Sequence, residues 1–265
     1  MATYNIERPF STPFTVEINS LKVGRLLALY FGKCFLPADR IHPETIVIDE
    51  IDNTHFIIRY NQQKIITDSL LKELNNIFFE HTLFDKSILA LHGAAVEYEN
   101  NAYVFLAPTG EGKTTLTSYL LHRNCRYITD DCVFIDRTSM HVFPSLMPLH
   151  LRPGGLSVLR YERAVPDGIM LMDDGATRRF VFFPKEITDN SVPIKCIFIV
   201  KRNDVHNMIV KTPISDRIDF ILKSMFDPKL LDIQCFRLIA SLANMRCYIL
   251  QYCNLEYVYH TLRNE

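Results

Sequence analysis

Ala102-Tyr103-Val104-Phe105-Leu106-Ala107-Pro108-Thr109-Gly110-Glu111-Gly112-Lys113-Thr114-Thr115-Leu116 changes character twice along its length. Residues 102–107 are a continuous apolar run, which reads as a buried strand. Two glycines follow, and from Lys113 the spacing of Leu116, Leu120 and Leu121 reads as the inward face of a helix reaching about His122. Strand, glycine loop and helix in that order are the context in which a Walker A sequence has physical meaning. Gly110 and Gly112 supply a tight turn and close backbone approach, Lys113 a cation, and Thr114 a hydroxyl for Mg²⁺. The helix start adds its positive end. Thr109, Gly110, Glu111, Gly112, Lys113, Thr114 and Thr115 are therefore expected to line a nucleoside triphosphate. One position departs from G-x-x-x-x-G-K-[ST]: Ala107 replaces the first glycine. Alanine is strained at positive φ, so the opening turn must be less demanding here or differently shaped.

Reading outward, residues 88–98 form a second apolar strand, joined to the first by Glu99-Asn100-Asn101, a tight-turn sequence. Beyond the helix, residues 127–129 and 132–135 read as strand on either side of Asp130-Asp131. In a phosphate-loop enzyme an acidic residue there holds Mg²⁺ through water or accepts a proton from the attacking hydroxyl. Two adjacent carboxylates can divide those tasks; a solvated turn is the plain alternative. Residues 137–192 are rich in Pro and Gly and read as mostly irregular. Residues 194–201 read as a buried strand, 216–225 and 230–242 as helices, 246–252 as a strand and 255–262 as a closing helix. At the other end, 14–18, 45–51 and 55–60 are short extended segments, the last two joined by Asp52-Asn53-Thr54. Asp68 offers an N-cap to a helix with Leu70, Leu71, Leu74, Ile77 and Phe78 on one face. The pattern predicts a small α+β module over 1–86 and an α/β domain over 87–265.

Composition narrows the classes. A hydrophobic share of 48% with 22% charged residues is that of a soluble globular protein. A formal net charge of −1 gives no bulk field to attract nucleic acid or an anionic membrane. The seven cysteines are odd in number and show neither CxxC nor zinc spacing, which reads as buried, reduced thiols. Residues 1–8 lack a signal-peptide pattern, and no uncharged apolar run reaches the length of a membrane span. The expectation is a cytoplasmic protein with no nucleic-acid and no membrane partner; oligomeric assembly stays open.

Over residues 92–131 the order His92-Gly93, strand hairpin, phosphate loop, helix and Asp130-Asp131 resembles the HPr kinase/phosphorylase family. The resemblance implies a nucleotide-binding core like that of PEP carboxykinase, ATP and Mg²⁺ as cofactors, and a serine on a small protein as acceptor. It implies Lys113 as the phosphate lysine, Thr114 as the Mg²⁺ ligand and Asp131 as the base toward the hydroxyl. Asp130 would assist on the metal side, and His92 would stand in the catalytic site; a core histidine between strands is the plain alternative for His92. The family's second signature has a metal-binding glutamate, then arginine and glycines. In Leu149-His150-Leu151-Arg152-Pro153-Gly154-Gly155 the arginine and glycines match, but His150 stands at the glutamate position. Neither a second metal contact nor phosphorylase activity is carried over, whereas Arg152 is, as a guanidinium holding phosphate or substrate.

Arg178-Arg179-Phe180, Phe183-Pro184 and Val200-Lys201-Arg202 are similar to HPr-kinase-related proteins of bacterial biosynthetic clusters, some of which resemble kinases that phosphorylate the C-terminal serine of lasso-peptide precursors. The expected function is an ATP-dependent serine kinase acting on a peptide or small protein. Its alternatives are a nucleotide-binding regulatory or assembly protein without phosphotransfer, an HPr-type phosphocarrier kinase, and an ordinary P-loop ATPase or small-molecule kinase. The last would place its Walker B aspartate much farther along the chain. Arg178-Arg179 reads equally as a substrate clamp or a solvated pair, and Asp173-Asp174 before Gly175 as a turn.

Overall fold

The structure, a computed structural model, describes residues 1–7, 13–82, 87–145, 147–173, 178–203, 205–226 and 231–265. It is a mixed α/β protein whose chain divides into two compact units. The first comprises Met1–Asp85, Ser145–Pro153 and Asp167–Phe183; the second comprises Lys86–Pro144, Gly154–Pro166 and Pro184–Glu265. Among the described residues no helix is long and apolar enough to cross a membrane.

The first unit is built on a six-stranded sheet of β1 (Ala2–Ile6), β2 (Phe14–Ile18), β3 (Phe35–Pro37), β4 (Thr45–Glu50), β5 (Phe56–Tyr60) and β6 (Gln63–Thr67), ordered β3-β1-β2-β4-β5-β6. Phe14, Val16, Ile18, Ile46, Ile48, Phe56 and Ile58 alternate along their strands and are buried, as a sheet with one covered face requires. Two helices, α1 (Leu21–Phe31) and α2 (Leu70–Thr82), contribute to the same core. Nothing in the sequence reading anticipated α1. Its signal was nevertheless there: Val23, Leu26, Leu27, Tyr30 and Phe31 are buried at helical spacing, and the Ser20 hydroxyl accepts a hydrogen bond from the Val23 amide at 3.4 Å.

A three-stranded sheet completes this unit, with β12 (Leu149–Leu151) and β13 (Met170–Asp173) flanking β14 (Arg178–Phe182). These segments come from the stretch read as irregular and assigned to the second domain. They join the first unit because Met172 and Val181 bury themselves in the core formed by Phe14, Phe31, Leu74 and Phe78. The expected boundary near Lys86 lies outside the described residues, and of the expected turn at Asp173-Asp174-Gly175 only Asp173 is described, where it ends β13 opposite Arg178.

The second unit contains β7 (Ile88–Tyr98), β8 (Asn101–Leu106), α3 (Lys113–Leu121), β9 (Arg126–Thr129), β10 (Cys132–Asp136) and β11 (His141–Phe143). It continues with α4 (Pro153–Tyr161), β15 (Val192–Arg202), β16 (Met208–Lys211), α5 (Ile214–Lys223), α6 (Ile233–Asn244), β17 (Cys247–Tyr252) and α7 (Leu255–Asn264). Its sheet runs β11-β10-β7-β8-β15-β17-β16, with β9 also on β7. Because β11 pairs with both β10 and β15, the strands β10, β7, β8, β15 and β11 close a hydrogen-bonded ring. Leu89, Leu91, Val104, Val133, Ile135, Val142, Ile197 and Ile199 belong to the core of this unit. The three strands β8, β15 and β17 are mutually parallel, so their C-terminal ends, at Leu106, Arg202 and Tyr252, share one edge. The loop that follows β8 leaves from that edge.

Several differences from the sequence expectation have local causes. Leu121 is half exposed, whereas Thr117, Ser118 and Tyr119 are buried, because α3 is covered on more than one side. The expected helix start at Leu230 lies outside the described residues; α6 begins after Asp232, whose carboxylate accepts from the Cys235 amide at 2.7 Å. Helix α4 starts on a proline, which is tolerated where the missing N–H has no partner to lose, and Gly154-Gly155 disguise it.

In the first unit, Gly32 ends α1 at φ +56 and ψ −125, a conformation open to glycine. A Cβ there would lie 2.6 Å from a Phe183 ring carbon and 2.9 Å from Pro148. Gly32→Ala should therefore destabilise the protein by about 2–4 kcal/mol, combining backbone strain with overpacking. Chemical denaturation monitored by circular dichroism measures this; an unchanged midpoint would contradict the packing described.

Candidate functional site

Strand β8 ends at Leu106 and α3 begins at Lys113, leaving Ala107 to Gly112 as the connecting loop. Only Gly110, at φ +101, and Gly112, at φ +88, are left-handed in this loop; Ala107 has no positive φ. The departure from the phosphate-loop pattern at Ala107 is thus compatible with its backbone, since the conformational demand falls on the two positions that are glycine. Gly112 caps α3, whose first turn carries no acidic side chain. The helix end keeps its positive character toward the loop.

Lys113 is buried, and its Nζ donates to Ala107 O at 2.8 Å and Pro108 O at 3.2 Å. It also lies 3.0 Å from His92 Nε2, which Thr109 Oγ1 approaches at 3.4 Å. An ammonium can only donate, so Nε2 is the acceptor and the ring's proton sits on Nδ1. That nitrogen faces Asp131 Oδ1 at 3.6 Å. Burial and the Lys113 cation lower the His92 pKa, against the opposing pull of Asp131, which keeps the ring neutral at neutral pH.

The acid pair sits where it does because β7 is long. Its second half pairs with β9 and its first half with β10, so residues 130 and 131 fall at the step between the two partners. The Thr129 hydroxyl donates to Cys132 O at 2.7 Å and closes that step, while Gly93 N donates to Asp131 O at 3.3 Å. Gly93 must be small: a Cβ would lie 2.8 Å from a Leu106 methyl, 3.0 Å from Phe105 O and 3.1 Å from a Val133 methyl. His92-Gly93 therefore serves two needs, a ring toward the loop and close packing of three strands.

The two aspartates are in opposite environments. The side chain of Asp131 is 80% exposed, whereas Asp130 is buried. Burial, with the adjacent Asp131 charge second, pushes the Asp130 pKa up to about 7, and a hydrogen bond from the Thr114 side chain and the Lys113 charge act in the opposite sense. One Asp130 oxygen, Oδ1, is buried without a hydrogen-bond partner. Such an orphaned carboxylate oxygen beside a threonine hydroxyl suits a small divalent cation. Among the described residues no three His, Cys, Asp or Glu side chains converge. Mg²⁺ needs no such cage, since it is commonly held by one or two carboxylates, water and substrate phosphates.

His92, Thr109, Lys113, Thr114, Asp130 and Asp131 are thus brought together, all within the second unit. Glu111 is turned elsewhere: its Oε2 accepts from the Arg202 amide at 2.8 Å, and its carbonyl accepts from the Tyr252 hydroxyl at 3.2 Å. Thr115 is half exposed in the first turn of α3. Arg152 is an exposed residue of the first unit. His150, also in the first unit, is a half-buried residue whose ring is tilted against that of Tyr30, centroids 4.8 Å apart, with its pKa lowered to about 3 by burial and then by the Arg179 charge. Arg178 and Arg179 are consecutive on β14, so they point to opposite faces of their sheet and cannot close on one group as a pair. Arg202 and Tyr252 were not foreseen at the loop, because their approach depends on strand order, which residue spacing does not reveal. No protein-family model matches the chain, and a search of the curated proteins finds no match.

Asp130 has a measurable signature. Its pKa of about 7 stands above the ordinary 3.8, so between those values the folded protein holds a proton that the unfolded chain has released. Its contribution therefore makes stability fall as pH rises from 3.8 to about 7 and then level off. The slope from this one group is at most about 1.4 kcal/mol per pH unit. Asp130→Asn should flatten that part of a stability profile obtained from urea midpoints. A variant that keeps the wild-type slope would place the buried proton on another group.

Proposed function

We propose that the chain is an ATP-dependent phosphotransferase with a P-loop core of the HPr kinase/PEP carboxykinase kind, working in the cytoplasm on a serine hydroxyl of a peptide or small protein. The observation that carries this reading is the joint placement of Lys113, Thr114 and Asp130 at one end of a strand–loop–helix unit, with Asp131 and His92 beside them. A nucleotide-binding switch needs the loop but has no use for a second, exposed carboxylate beside a neutral histidine. The C-terminal serine of a lasso-peptide precursor is the acceptor favoured by the sequence resemblance. All described cysteines are free thiols, in keeping with a reducing compartment.

ATP with Mg²⁺ supplies the transferable phosphoryl group and a divalent charge against the negative charge that builds up during transfer. Gly110 and Gly112 let the backbone come close to phosphate oxygens. Lys113 offers its ammonium from inside the loop, where it is already held by two loop carbonyls. Thr114 and Asp130 would hold the metal, the hydroxyl and the orphaned carboxylate oxygen acting as its protein contacts directly or through water. Asp131 is the exposed acid, open to an incoming hydroxyl, and it accepts the proton as the serine oxygen attacks. His92 orients it: Nδ1–H faces Asp131 while Nε2 keeps Lys113 in place.

Lys113→Ala should weaken ATP binding at least about ten-fold and abolish turnover, since it removes the cation that meets the phosphates. Asp131→Asn keeps size and hydrogen bonding but cannot take a proton. It should bind ATP nearly as well as wild type while losing about 10²–10⁴-fold in phosphotransfer. Asp130→Asn should chiefly raise the Mg²⁺ requirement. Calorimetry for ATP and mass spectrometry of serine-containing peptides after incubation with Mg²⁺ and ATP separate these roles. Wild-type transfer by Asp131→Asn would shift the base to Asp130 or His92, and wild-type ATP binding by Lys113→Ala would end the loop assignment.

A further inference from the structure

A carboxylate in a loop that receives a triphosphate is an electrostatic liability, because like charges a few ångströms apart repel. Glu111 occupies such a place, between the two left-handed glycines. Its Oε2 accepts from the Arg202 amide at 2.8 Å, at the end of β15. Its carbonyl accepts from the Tyr252 hydroxyl at 3.2 Å, at the end of β17. Arg202 and Tyr252 are paired neighbours in the parallel register of those strands, and Asn203 N donates to Tyr252 O at 2.8 Å just beyond. The Tyr252 ring is buried, so its hydroxyl is delivered from a fixed position; burial first of all pushes its pKa up to about 12, which keeps it a donor. The same hydroxyl lies 3.0 Å from where a Cβ of Gly112 would stand. Tyr252 therefore bears on both residues of the turn that starts α3.

We infer that Glu111 and Tyr252 are positioning residues that tie the exit turn of the loop to the ends of β15 and β17, holding Gly112 at positive φ and keeping the Glu111 carboxylate on Arg202 instead of on the nucleotide. This removes Glu111 from the residues that contact ATP. It rests on the phosphate-loop reading for its functional effect, but the tether itself is a property of the loop and is measurable without nucleotide.

Three variants of the full chain test it. Tyr252→Phe deletes only the hydroxyl, Glu111→Ala deletes the carboxylate, and Glu111→Gln keeps an oxygen that accepts from the Arg202 amide while losing the charge. Amide hydrogen exchange across residues 109–116 should speed up in Tyr252→Phe and Glu111→Ala, stay near wild type in Glu111→Gln, and leave β17 unchanged. The Kd for ATP with Mg²⁺ should rise about ten-fold, equivalent to about 1.4 kcal/mol, in the first two and less than about two-fold in Glu111→Gln. Wild-type exchange in both Tyr252→Phe and Glu111→Ala would overturn the tether. Faster exchange with unchanged Kd would overturn its role in nucleotide binding, and equal damage by Glu111→Gln and Glu111→Ala would overturn the assignment of Glu111 as a hydrogen-bond tether to Arg202. If wild type and Lys113→Ala alike fail to bind ATP, the phosphate-loop reading falls, while the exchange data still decide the tether.

Discussion

Asp130 is held out of water next to a second carboxylate, an arrangement whose electrostatic cost must be offset by its surroundings. Much of the second unit can be understood from that requirement. The step between β9 and β10 on the long strand β7 creates the buried position, and the Thr129 hydroxyl seals it. Thr114 and Lys113, delivered by the first turn of α3, supply the favourable interactions from the other side. A group poised in this way responds strongly to any cation brought near it, since each unit of pKa shift corresponds to about 1.4 kcal/mol. The neighbouring Asp131 remains exposed and free to meet other molecules. Two residues adjacent in the chain thus divide into one facing the interior and one facing solvent.

The loop illustrates how a motif can tolerate substitution when its backbone demands are separable. Left-handed φ is required at Gly110 and Gly112 alone, so Ala107 can supply a carbonyl for Lys113 without strain. Its side chain is buried, and its oxygen acts where a glycine's would. The lysine is consequently bonded within the loop that it would serve, which limits the side-chain freedom to be lost on meeting an anion.

Much of the site's local framework was legible in the sequence because it is consecutive. The apolar run of β8, the glycines, and the helical spacing after Lys113 are readable from neighbours alone, and so are the strands flanking Asp130-Asp131. Helix α1 is equally readable in principle, since Val23, Leu26, Leu27, Tyr30 and Phe31 recur at helical spacing, but it lies among short extended segments. What was not legible is the product of long-range pairing. β12, β13 and β14 are short, interrupted by Pro and Gly, and join the first unit only through the burial of Met172 and Val181. For the same reason Tyr252 and Arg202 gave no local sign of meeting Glu111. His150 aligns with a metal-binding position in the sequence, whereas its ring packs in neutral form against Tyr30, a distinction that only packing reveals.

The interleaving of the two units along the chain bears on how the protein is made. The last strand of the first unit, β14, ends at Phe182, although the first strand of that unit begins at Ala2. A chain emerging from the ribosome therefore exposes β7, β8, α3 and the aspartate step before the first unit can complete its core. Strands of both units wait together as unpaired edges, a condition that favours recruitment of chaperones and slows folding. A gene cut near residue 86 would yield one piece lacking the strands that cover Phe14 and Phe78 and another carrying those strands with nothing to cover. The protein is in this sense a single unit of synthesis, even though it contains two units of structure.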